Sequence, residues 1–355
     1  MLSRLLGPVR AAKLRNRVSE IWRIGFKSAG RYAPFTREET DIVLTDRIAF
    51  KGDAPAQIAG GVTEQGRMAF RIPRPVYEEA ADLVVTPKGG VWSNGCFIER
   101  YSACRPGLRM LAENHRPAER LDKAWIIQSA HKDTYGDWVS EYLCAILRVH
   151  PLDAPLLLPR EFAGKPYVAR DLAALNVDWR AVTHPIAVGH ARVLRQQKYF
   201  VHFPREDEAV LRRLFPSAVS APRPGSIVYI SREGEKSEVA ERRYPSLLIE
   251  AAVKARGGTV LRSATASAAD YAAAAAEAET VIYDHGSAIY NAVGWPMRRA
   301  VEIASGDWWN NSFLMLLDAV GVRDYTIIRA DLGDEHVSRR LAEALDAPLD
   351  AASRT

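Results

Sequence analysis

The sequence predicts an α/β protein built on doubly wound parallel sheets of the Rossmann-like kind. Strand-like and helix-like patterns alternate over residues 121–215 and, more regularly, over residues 222–328. Such alternation is typical of parallel strands joined by helical crossovers. The chain has 355 residues, enough for about two domains. Apolar residues make up 48% and charged residues 26%, a balance that excludes a largely disordered chain.

The elements follow from short apolar runs separated by helix and turn signals. A helix over 246–255 ends before Gly257, since glycine commonly follows a helix C-terminus. Another helix begins at Ser267, where Asp270 three residues later completes a capping-box pattern. A further helix is expected over 138–149. Strands are expected at 123–128, 155–159, 227–231, 259–261, 281–283, 299–303 and 325–328.

These patterns divide the chain into five segments. They are a basic amphipathic arm (1–30), a strand-rich leader (31–120), a first Rossmann-like domain (121–221), a second Rossmann-like domain (222–330), and a C-terminal helix and tail (331–355). The leader is assigned from short apolar runs interrupted by glycine and proline. A proline- and glycine-rich linker at 222–225 separates the two Rossmann-like domains.

The net charge of +5 is concentrated in the arm. Residues 1–30 hold seven basic residues against one acidic residue, a charge of +6, which leaves −1 on the rest of the chain. A nearly neutral body does not favour nucleic acid as a partner. Leu14, Val18, Ile21 and Trp22 follow the spacing of one helix face. Either this helix lies on an anionic membrane surface, or it packs its apolar face on the protein's own body, which is the commoner arrangement.

The chain carries no pattern of an exported or membrane-spanning protein. Arg4, Arg10 and Lys13 interrupt the stretch where the apolar core of a signal peptide would lie. No run approaches the roughly 20 apolar residues of a spanning helix. Three cysteines do not form a disulfide framework. We therefore expect a cytoplasmic protein, peripheral on the inner membrane face if the arm binds lipid.

Polar residues cluster where three predicted strands end, which is where ligands bind parallel sheets. Ser231 and Arg232 end one strand, residues 284–287 end another, and Glu302 lies at a third. Gly286 would let the backbone approach a ligand closely. The amides of residues 287–289 would open a helix and attract phosphate oxygens.

The side chains at these strand ends suit a nucleotide diphosphate. Arg232 would pair with the phosphates, Glu302 would accept hydrogen bonds from ribose hydroxyls, and His285 would donate a hydrogen bond or act as an acid or base. Each residue also has an ordinary structural interpretation. The glycine would serve a tight turn, the histidine would be a satisfied interior side chain, the arginine would be a surface residue, and the glutamate would flank an edge strand.

Several familiar sites are absent from the sequence. It has no G-x-G-x-x-G after a strand, no phosphate-binding P-loop and no G-x-S-x-G nucleophile elbow. The spacing of cysteine and histidine does not resemble a zinc site. We expect no metal and no resident cofactor.

Taken in order, the motifs resemble glycosyltransferase family 61, whose bacterial members are often described as capsular polysaccharide biosynthesis proteins. The resemblance spans about 83–328 and is most specific over 229–303. It is carried by Y-I-S-R at 229–232, an arginine pair at 242–243, D-H-G-S-A-I-Y-N at 284–291, A-V-E-I at 300–303, and G-D-W-V-S-E-Y-L at 136–143.

The resemblance implies two Rossmann-like domains facing a cleft, the GT-B arrangement. It implies inverting transfer of a sugar from a nucleotide sugar, with UDP as the expected nucleotide, onto a glycan or lipid-linked acceptor. The donor would be held by Ser231, Arg232, Arg242, Asp284, His285, Gly286, Ser287, Asn291 and Glu302.

One departure affects the expected catalytic base. The family's usual histidine before the tryptophan is Asp137 here. A carboxylate can accept the proton of an acceptor hydroxyl, so we expect Asp137 to be the base. Glu141, four residues on along the same helix face, is the second candidate, and His285 is a third. Alternatively, the substitution marks a non-catalytic relative that binds a glycan or a partner protein.

Overall fold

The computed structural model describes residues 8–33, 41–44, 49–53, 70–73, 76–103, 107–129, 134–195, 209, 221–235, 244–276, 278–305 and 312–349. The chain forms two compact units. The first comprises Met1–Glu39 and Arg74–Tyr199, and the second comprises Thr40–Pro73 and Phe200–Thr355.

The first unit is organised around a mixed sheet that, in the described residues, has eight strands in the order β1-β7-β6-β5-β11-β8-β9-β10. The strands β11, β8, β9 and β10 are mutually parallel, and β5 pairs antiparallel with β11. The bounds of the eight strands are β1 Tyr32–Ala33, β5 Tyr77–Val85, β6 Val91–Ser93, β7 Cys96–Ile98, β8 Glu119–Ile126, β9 Leu156–Pro159, β10 Trp179–Val182 and β11 Ile186–Leu194.

The buried positions explain why these segments form strands. All four residues of β9 are buried, as expected for a central parallel strand covered on both faces. The core cluster of this unit is apolar and runs across the central strands of the sheet, with Leu83 and Val85 on β5, Ile126 on β8 and Val193 on β11 among its members.

The helices of the first unit vary in kind. The α-helices are α1 Pro8–Ser28, α2 Leu108–Leu111, α3 Tyr135–Asp137, α4 Cys144–Val149 and α5 Pro166–Ala174. Short 3-10 helices occur at Glu99–Tyr101 and Arg160–Phe162. Between α3 and α4 the chain forms a π-helix, Trp138–Leu143. None of the helices in the described part of the chain is long and apolar enough to cross a bilayer.

The second unit is built on a parallel sheet. In the described residues it has six strands in the order β13-β12-β14-β15-β16-β3, all parallel. Their bounds are β3 Ala49–Gly52, β12 Ile227–Ser231, β13 Thr259–Arg262, β14 Thr280–Asp284, β15 Arg299–Ala304 and β16 Asp324–Arg329. A separate antiparallel pair joins β2 Asp41–Leu44 to β4 Phe70–Pro73.

Helices cover both faces of this second sheet. The α-helices are α6 Ser246–Ala255, α7 Ala268–Ala275, α8 Ser312–Ala319 and α9 Asp334–Asp346, with 3-10 helices at Ser287–Ala292 and Ala330–Leu332. Ile249 of α6 and Leu341 of α9 pack with Ile282 of β14. Phe313 of α8 contacts the ring of Tyr283. Tyr283 follows Ile282 on β14 and therefore points to the opposite face of the sheet, because successive strand residues alternate. The α/β class with parallel-rich sheets, predicted from the alternating pattern, is thereby confirmed.

The C-terminal helix α9 is fastened to the sheet by a buried arginine. Arg299 of β15 donates to the Asp324 carboxylate at 2.8 Å and to the carbonyls of Ala344 and Ala347 at 2.7 and 2.8 Å. A cation at these carbonyls satisfies the unpaired acceptors at the helix C-terminus. The segment expected to form a helix and tail therefore contains a helix that is part of the second unit.

The segment 31–120, expected as a separate leader, is divided between the two units. Its strand β5 pairs along nearly its whole length with β11 in the first sheet. Its strand β3 pairs with β16 and forms an edge of the second sheet. The segment is rich in strands: β1, β5, β6 and β7 pair with one another at one end of the first sheet, and Tyr32, Trp92, Phe97, Met110 and Leu111 form a buried cluster there. It is therefore part of both units and not a separate domain.

Candidate functional site

The predicted polar cluster lies at the topological switch point of the second sheet. Strand β12 has β13 on one side and β14 on the other, so the strand order reverses at β12. In open parallel sheets the crevice at such a reversal, beyond the carboxyl ends of the strands, is where ligands bind. Arg232 follows β12 directly, and His285 and Gly286 follow β14. The fold therefore brings together the two motifs that sequence analysis placed at strand ends.

Asp284 ties these two strand ends together. Its side chain is fully buried and accepts hydrogen bonds from the Tyr229 hydroxyl at 2.8 Å, the backbone amide of Arg232 at 2.9 Å and the Ser246 hydroxyl at 3.0 Å. Burial raises the pKa of Asp284 to about 6, and the hydrogen bonds oppose that rise. Its role in this structure is to hold the loop after β12 against β14.

Arg232 places a cation at these strand ends. Its Nε donates to Glu235 at 2.6 Å and its Nη1 donates to the carbonyl of His285 at 3.0 Å. The side chain is 17% exposed to solvent. The two hydrogen bonds restrict the rotamers of a long side chain. The guanidinium is therefore held in place at the carboxyl ends of β12 and β14.

Gly286 is required because of this arginine. A Cβ at position 286 would lie 2.4 Å from Nη1, 3.1 Å from Cζ and 3.2 Å from Cδ of Arg232. The backbone at Gly286 is extended, with φ 162°, a conformation that any residue adopts. The glycine is needed for space, since it lets the guanidinium lie against the main chain. The sequence analysis expected a ligand to approach the backbone at Gly286; in the structure the Arg232 side chain lies in that space.

His285 and Glu302 form a buried pair behind this surface. Both side chains are almost completely excluded from solvent, and His285 Nδ1 hydrogen-bonds to Glu302 Oε1. Glu302 Oε2 accepts from the Tyr283 hydroxyl at 2.8 Å and also from the Tyr325 hydroxyl. The ring of Phe313 meets the imidazole edge-on, with centroids 4.8 Å apart.

This geometry corrects the expectation that Glu302 contacts a ribose. Glu302 lies within β15, paired with Tyr283 and Ile327 on the neighbouring strands. Both of its oxygens are occupied by protein donors inside the core. Its observed role is to orient His285, whose carbonyl in turn holds Arg232. The interior-histidine interpretation of His285 therefore describes its side chain, while its backbone belongs to the site.

The other residues predicted to bind the sugar donor make only local contacts or lie outside the described residues. Ser231 is buried, and its hydroxyl accepts the amide of Glu233 at 3.1 Å. Ser287 begins a six-residue 3-10 helix instead of the α-helix that was expected to present its amides to phosphate. Asn291 is exposed and donates to the carbonyl of Ala288 at 3.2 Å, bracing that short helix. Arg242 lies outside the described residues.

Three further residues complete the site, and sequence analysis did not single them out. Glu235 anchors the guanidinium of Arg232. The hydroxyl of Tyr244 donates to the carbonyl of His285 at 2.9 Å. Ser305 is buried at the carboxyl end of β15, and its hydroxyl has no hydrogen-bond partner among the described residues. The three-residue spacing of Arg232 and Glu235 was the available signal for Glu235.

The candidate bases belong to the first unit. Asp137 forms a capping box with Thr134: its carboxylate accepts the Thr134 amide at 2.9 Å, and the Thr134 hydroxyl accepts the Asp137 amide at 3.1 Å. Glu141 accepts a hydrogen bond from the Ser129 hydroxyl beyond the end of β8. Both carboxylates are half-buried.

The helix that carries these carboxylates differs from the expected one. Trp138–Leu143 is π-helical, so its hydrogen bonds run from residue i to i+5 and its turns are wider than those of an α-helix. The expected alignment of Asp137 and Glu141 on one α-helical face is therefore altered. Trp138 is fully buried and donates its Nε1 proton to Asp171 at 2.9 Å, which fixes the start of the π-helix in the core.

Comparisons with known proteins find neither a matching family model nor a matching curated protein. In the described part of the chain, no group of three or more histidine, cysteine, aspartate and glutamate side chains is arranged to hold a metal ion.

Proposed function

We propose that this chain is an inverting glycosyltransferase that moves a sugar from a nucleotide sugar, with UDP as the expected nucleotide, onto a glycan or lipid-linked acceptor. The observation that carries the proposal is the held guanidinium of Arg232 beside Gly286 at the switch point of the parallel sheet. The residue order resembling glycosyltransferase family 61 supports the same activity. We assign the reaction to the synthesis of surface or capsular polysaccharide.

The diphosphate of the donor is the group that the second unit would recognise. Arginine carries five N–H donors in a planar fork that suits phosphate oxygens. Arg232 gives one N–H to Glu235 and one to the carbonyl of His285, so its orientation is set before a ligand arrives. A guanidinium whose position is already fixed loses less side-chain entropy on binding. It would also stabilise the negative charge that develops on the leaving nucleotide diphosphate.

The buried residues behind Arg232 act as positioning residues in this proposal. Glu302 orients the ring of His285, and the carbonyl of His285 accepts from both Arg232 and Tyr244. The Asp284 carboxylate accepts a hydrogen bond from the backbone amide of Arg232. None of these buried carboxylates needs to touch the donor for the proposal to hold.

The proposed reaction also requires a base for the acceptor hydroxyl. In the GT-B arrangement that we propose, the first unit supplies it through Asp137, with Glu141 as the second candidate. The acceptor oxygen attacks the anomeric carbon, the bond from that carbon to the phosphate oxygen breaks, and the carboxylate takes the hydroxyl proton. The nucleotide diphosphate leaves with the electron pair of the broken bond.

A non-catalytic binding protein is the second candidate function. It is favoured by the capping box, because the Asp137 carboxylate already accepts the Thr134 amide. In that case Asp137 would have a structural role at the position where the family that the chain resembles carries a histidine. The chain would then bind a glycan or a partner protein without transferring sugar.

Replacement of Asp137 distinguishes the two functions. Asp137→Asn keeps an oxygen that can accept the Thr134 amide but removes the base, while Thr134→Ala weakens the capping box and keeps the carboxylate. We expect Asp137→Asn to lower sugar transfer from a nucleotide sugar by about 10²–10⁴-fold, the usual contribution of a general base. Thr134→Ala should retain most of the activity.

Equal transfer by the wild type and Asp137→Asn would contradict Asp137 as the base. Absence of transfer by the wild type with every nucleotide sugar, combined with nucleotide or glycan binding, would favour the binding protein.

A further inference from the structure

Helix α1 exposes apolar side chains to solvent. Ile21 is 68% exposed, Ile24 is 59% exposed and Trp22 is 43% exposed. Only Leu247 and Leu332 join them as exposed large apolar side chains among those that the structure describes. Ile21 and Ile24 are three positions apart and share one side of the helix, and Trp22 lies at the edge of that side, where its ring contacts Phe26; we call these three residues the α1 patch. Scattered single apolar residues are normal on a surface, whereas a clustered patch marks an interaction site.

The body-facing side of α1 carries Phe26, whose ring also contacts Trp22 with centroids 5.8 Å apart. Phe26 packs against the cluster that contains Tyr32, Trp92 and Met110, and the guanidinium of Arg31 lies 4.9 Å from its ring centroid. Arg23 is mostly shielded and pairs with Glu20. The helix is thus fastened to the first unit through its C-terminal turn. Of the face predicted from the sequence, Val18 is half-buried and the ring of Trp22 contacts Phe26, whereas Ile21 is exposed.

The charge around the α1 patch is strongly positive. Pro8–Ser28 contains six basic residues and one acidic residue, which give a charge of +5 on 21 residues. The acidic residue, Glu20, is paired with Arg23. Arg17 and Lys27 are exposed on the helix that carries the patch. The rest of the chain beyond residue 30 has a charge of −1, so the positive field is local to this helix.

We propose that α1 binds an anionic phospholipid surface, with Ile21, Trp22 and Ile24 entering the interface and the basic residues meeting the lipid headgroups. An interfacial helix of this kind needs an apolar face, a basic polar face and low overall hydrophobicity. Tryptophan at such a position is favoured because its ring is amphipathic. The proposal concerns where the protein acts and does not depend on the reaction at Arg232.

Vesicle co-sedimentation of the full chain tests the proposal. The probes are vesicles of phosphatidylcholine alone and vesicles containing 30% phosphatidylglycerol. We expect binding to the anionic vesicles that weakens as salt rises, because screening reduces surface electrostatics. Arg17→Gln with Lys27→Gln should weaken it about fivefold per removed charge, the equivalent of about 1 kcal/mol each.

The apolar contribution is tested by Ile21→Gln with Ile24→Gln. The matched control is Leu247→Gln, which removes a leucine that is 62% exposed in the second unit. The double variant should lose at least tenfold in anionic-vesicle binding while the control matches the wild type. Unchanged far-ultraviolet circular dichroism would show that each variant is folded. Equal vesicle binding by the double variant and the control, or no binding of the wild type to anionic vesicles, would overturn the proposal.

Discussion

The carboxylate of Asp284 accepts the backbone amide of Arg232 at 2.9 Å, which joins the end of β14 to the first residue after β12. Since the two residues are 52 positions apart, this contact fixes the geometry of the switch point. The arginine side chain then returns to the carbonyl of His285 at 3.0 Å. The two strand ends are thereby joined by both the backbone and the side chain of Arg232.

The burial of Asp284 predicts a pH dependence of stability that is centred on this residue. Its pKa is about 6 in the folded protein because of burial, against about 3.9 for an exposed aspartate. Between these values the folded state binds more protons than the unfolded state, so its contribution to stability falls as pH rises from about 4 to 6. The loss is about 3 kcal/mol in total and is complete above the folded pKa.

Asp284→Asn tests this prediction. An asparagine oxygen can accept from the Arg232 amide and the Ser246 hydroxyl, and its NH₂ can donate to the Tyr229 hydroxyl. Urea unfolding at several pH values should show that the wild type loses stability relative to the variant between pH 4 and 6. Parallel pH profiles for the two proteins would show that Asp284 does not carry a raised pKa.

A second prediction concerns the space that Gly286 leaves for Arg232. Gly286→Ala would place a Cβ 2.4 Å from Nη1 and displace the guanidinium. Nucleotide binding should weaken as much as it does in Arg232→Ala, and the double variant should be no worse than either single variant, because both changes remove the same interaction. Isothermal titration calorimetry measures the three affinities.

Gly164→Ala is the control for that experiment, since a Cβ there meets nothing within 4 Å. It should bind nucleotide like the wild type. Additive losses from Gly286→Ala and Arg232→Ala would mean that the two residues act on the ligand independently.

A third prediction addresses the hydrogen bonds to Glu302. Tyr325→Phe removes a hydroxyl donor to a buried carboxylate, which should cost about 1.5–3 kcal/mol in the free energy of unfolding. Tyr244→Phe removes a donor to a neutral carbonyl and should cost about 1 kcal/mol. Urea denaturation compares the two variants. A smaller loss for Tyr325→Phe than for Tyr244→Phe would argue against Glu302 as the organising acceptor of the core.

Much of the second sheet was predictable because its signals are local. Strand β12 and helix α6 have the expected bounds, and Ser267 forms the capping box with Asp270 that the sequence indicated. Strand β3 was not assigned to this sheet, since its pairing with β16 depends on residues some 275 positions apart. Likewise, the π-helix at Trp138–Leu143 has the apolar periodicity of an ordinary helix, so its wider turns were not visible in the sequence.

The candidate site was predictable in position but not in detail. Parallel topology alone places Arg232 and residues 284–286 at one edge. The role of Glu302 depends on the register of β15. That register places the Glu302 carboxylate within reach of Tyr283 on β14 and Tyr325 on β16, whose hydroxyls both donate to it. Nothing in the local sequence reveals that two tyrosines from neighbouring strands donate hydrogen bonds to the Glu302 carboxylate.

The most direct test of the proposed donor site is a thermal-shift panel of UDP, GDP, CMP and dTDP on the wild type, Arg232→Ala and the surface control Arg256→Ala. A ligand that binds only the folded state stabilises it by about 2.7 kcal/mol at a hundredfold excess over its Kd. We predict a rise in Tm with UDP that persists in Arg256→Ala and is lost in Arg232→Ala. An equal rise in Arg232→Ala, or no rise with any nucleotide, would contradict a nucleotide diphosphate at the switch point.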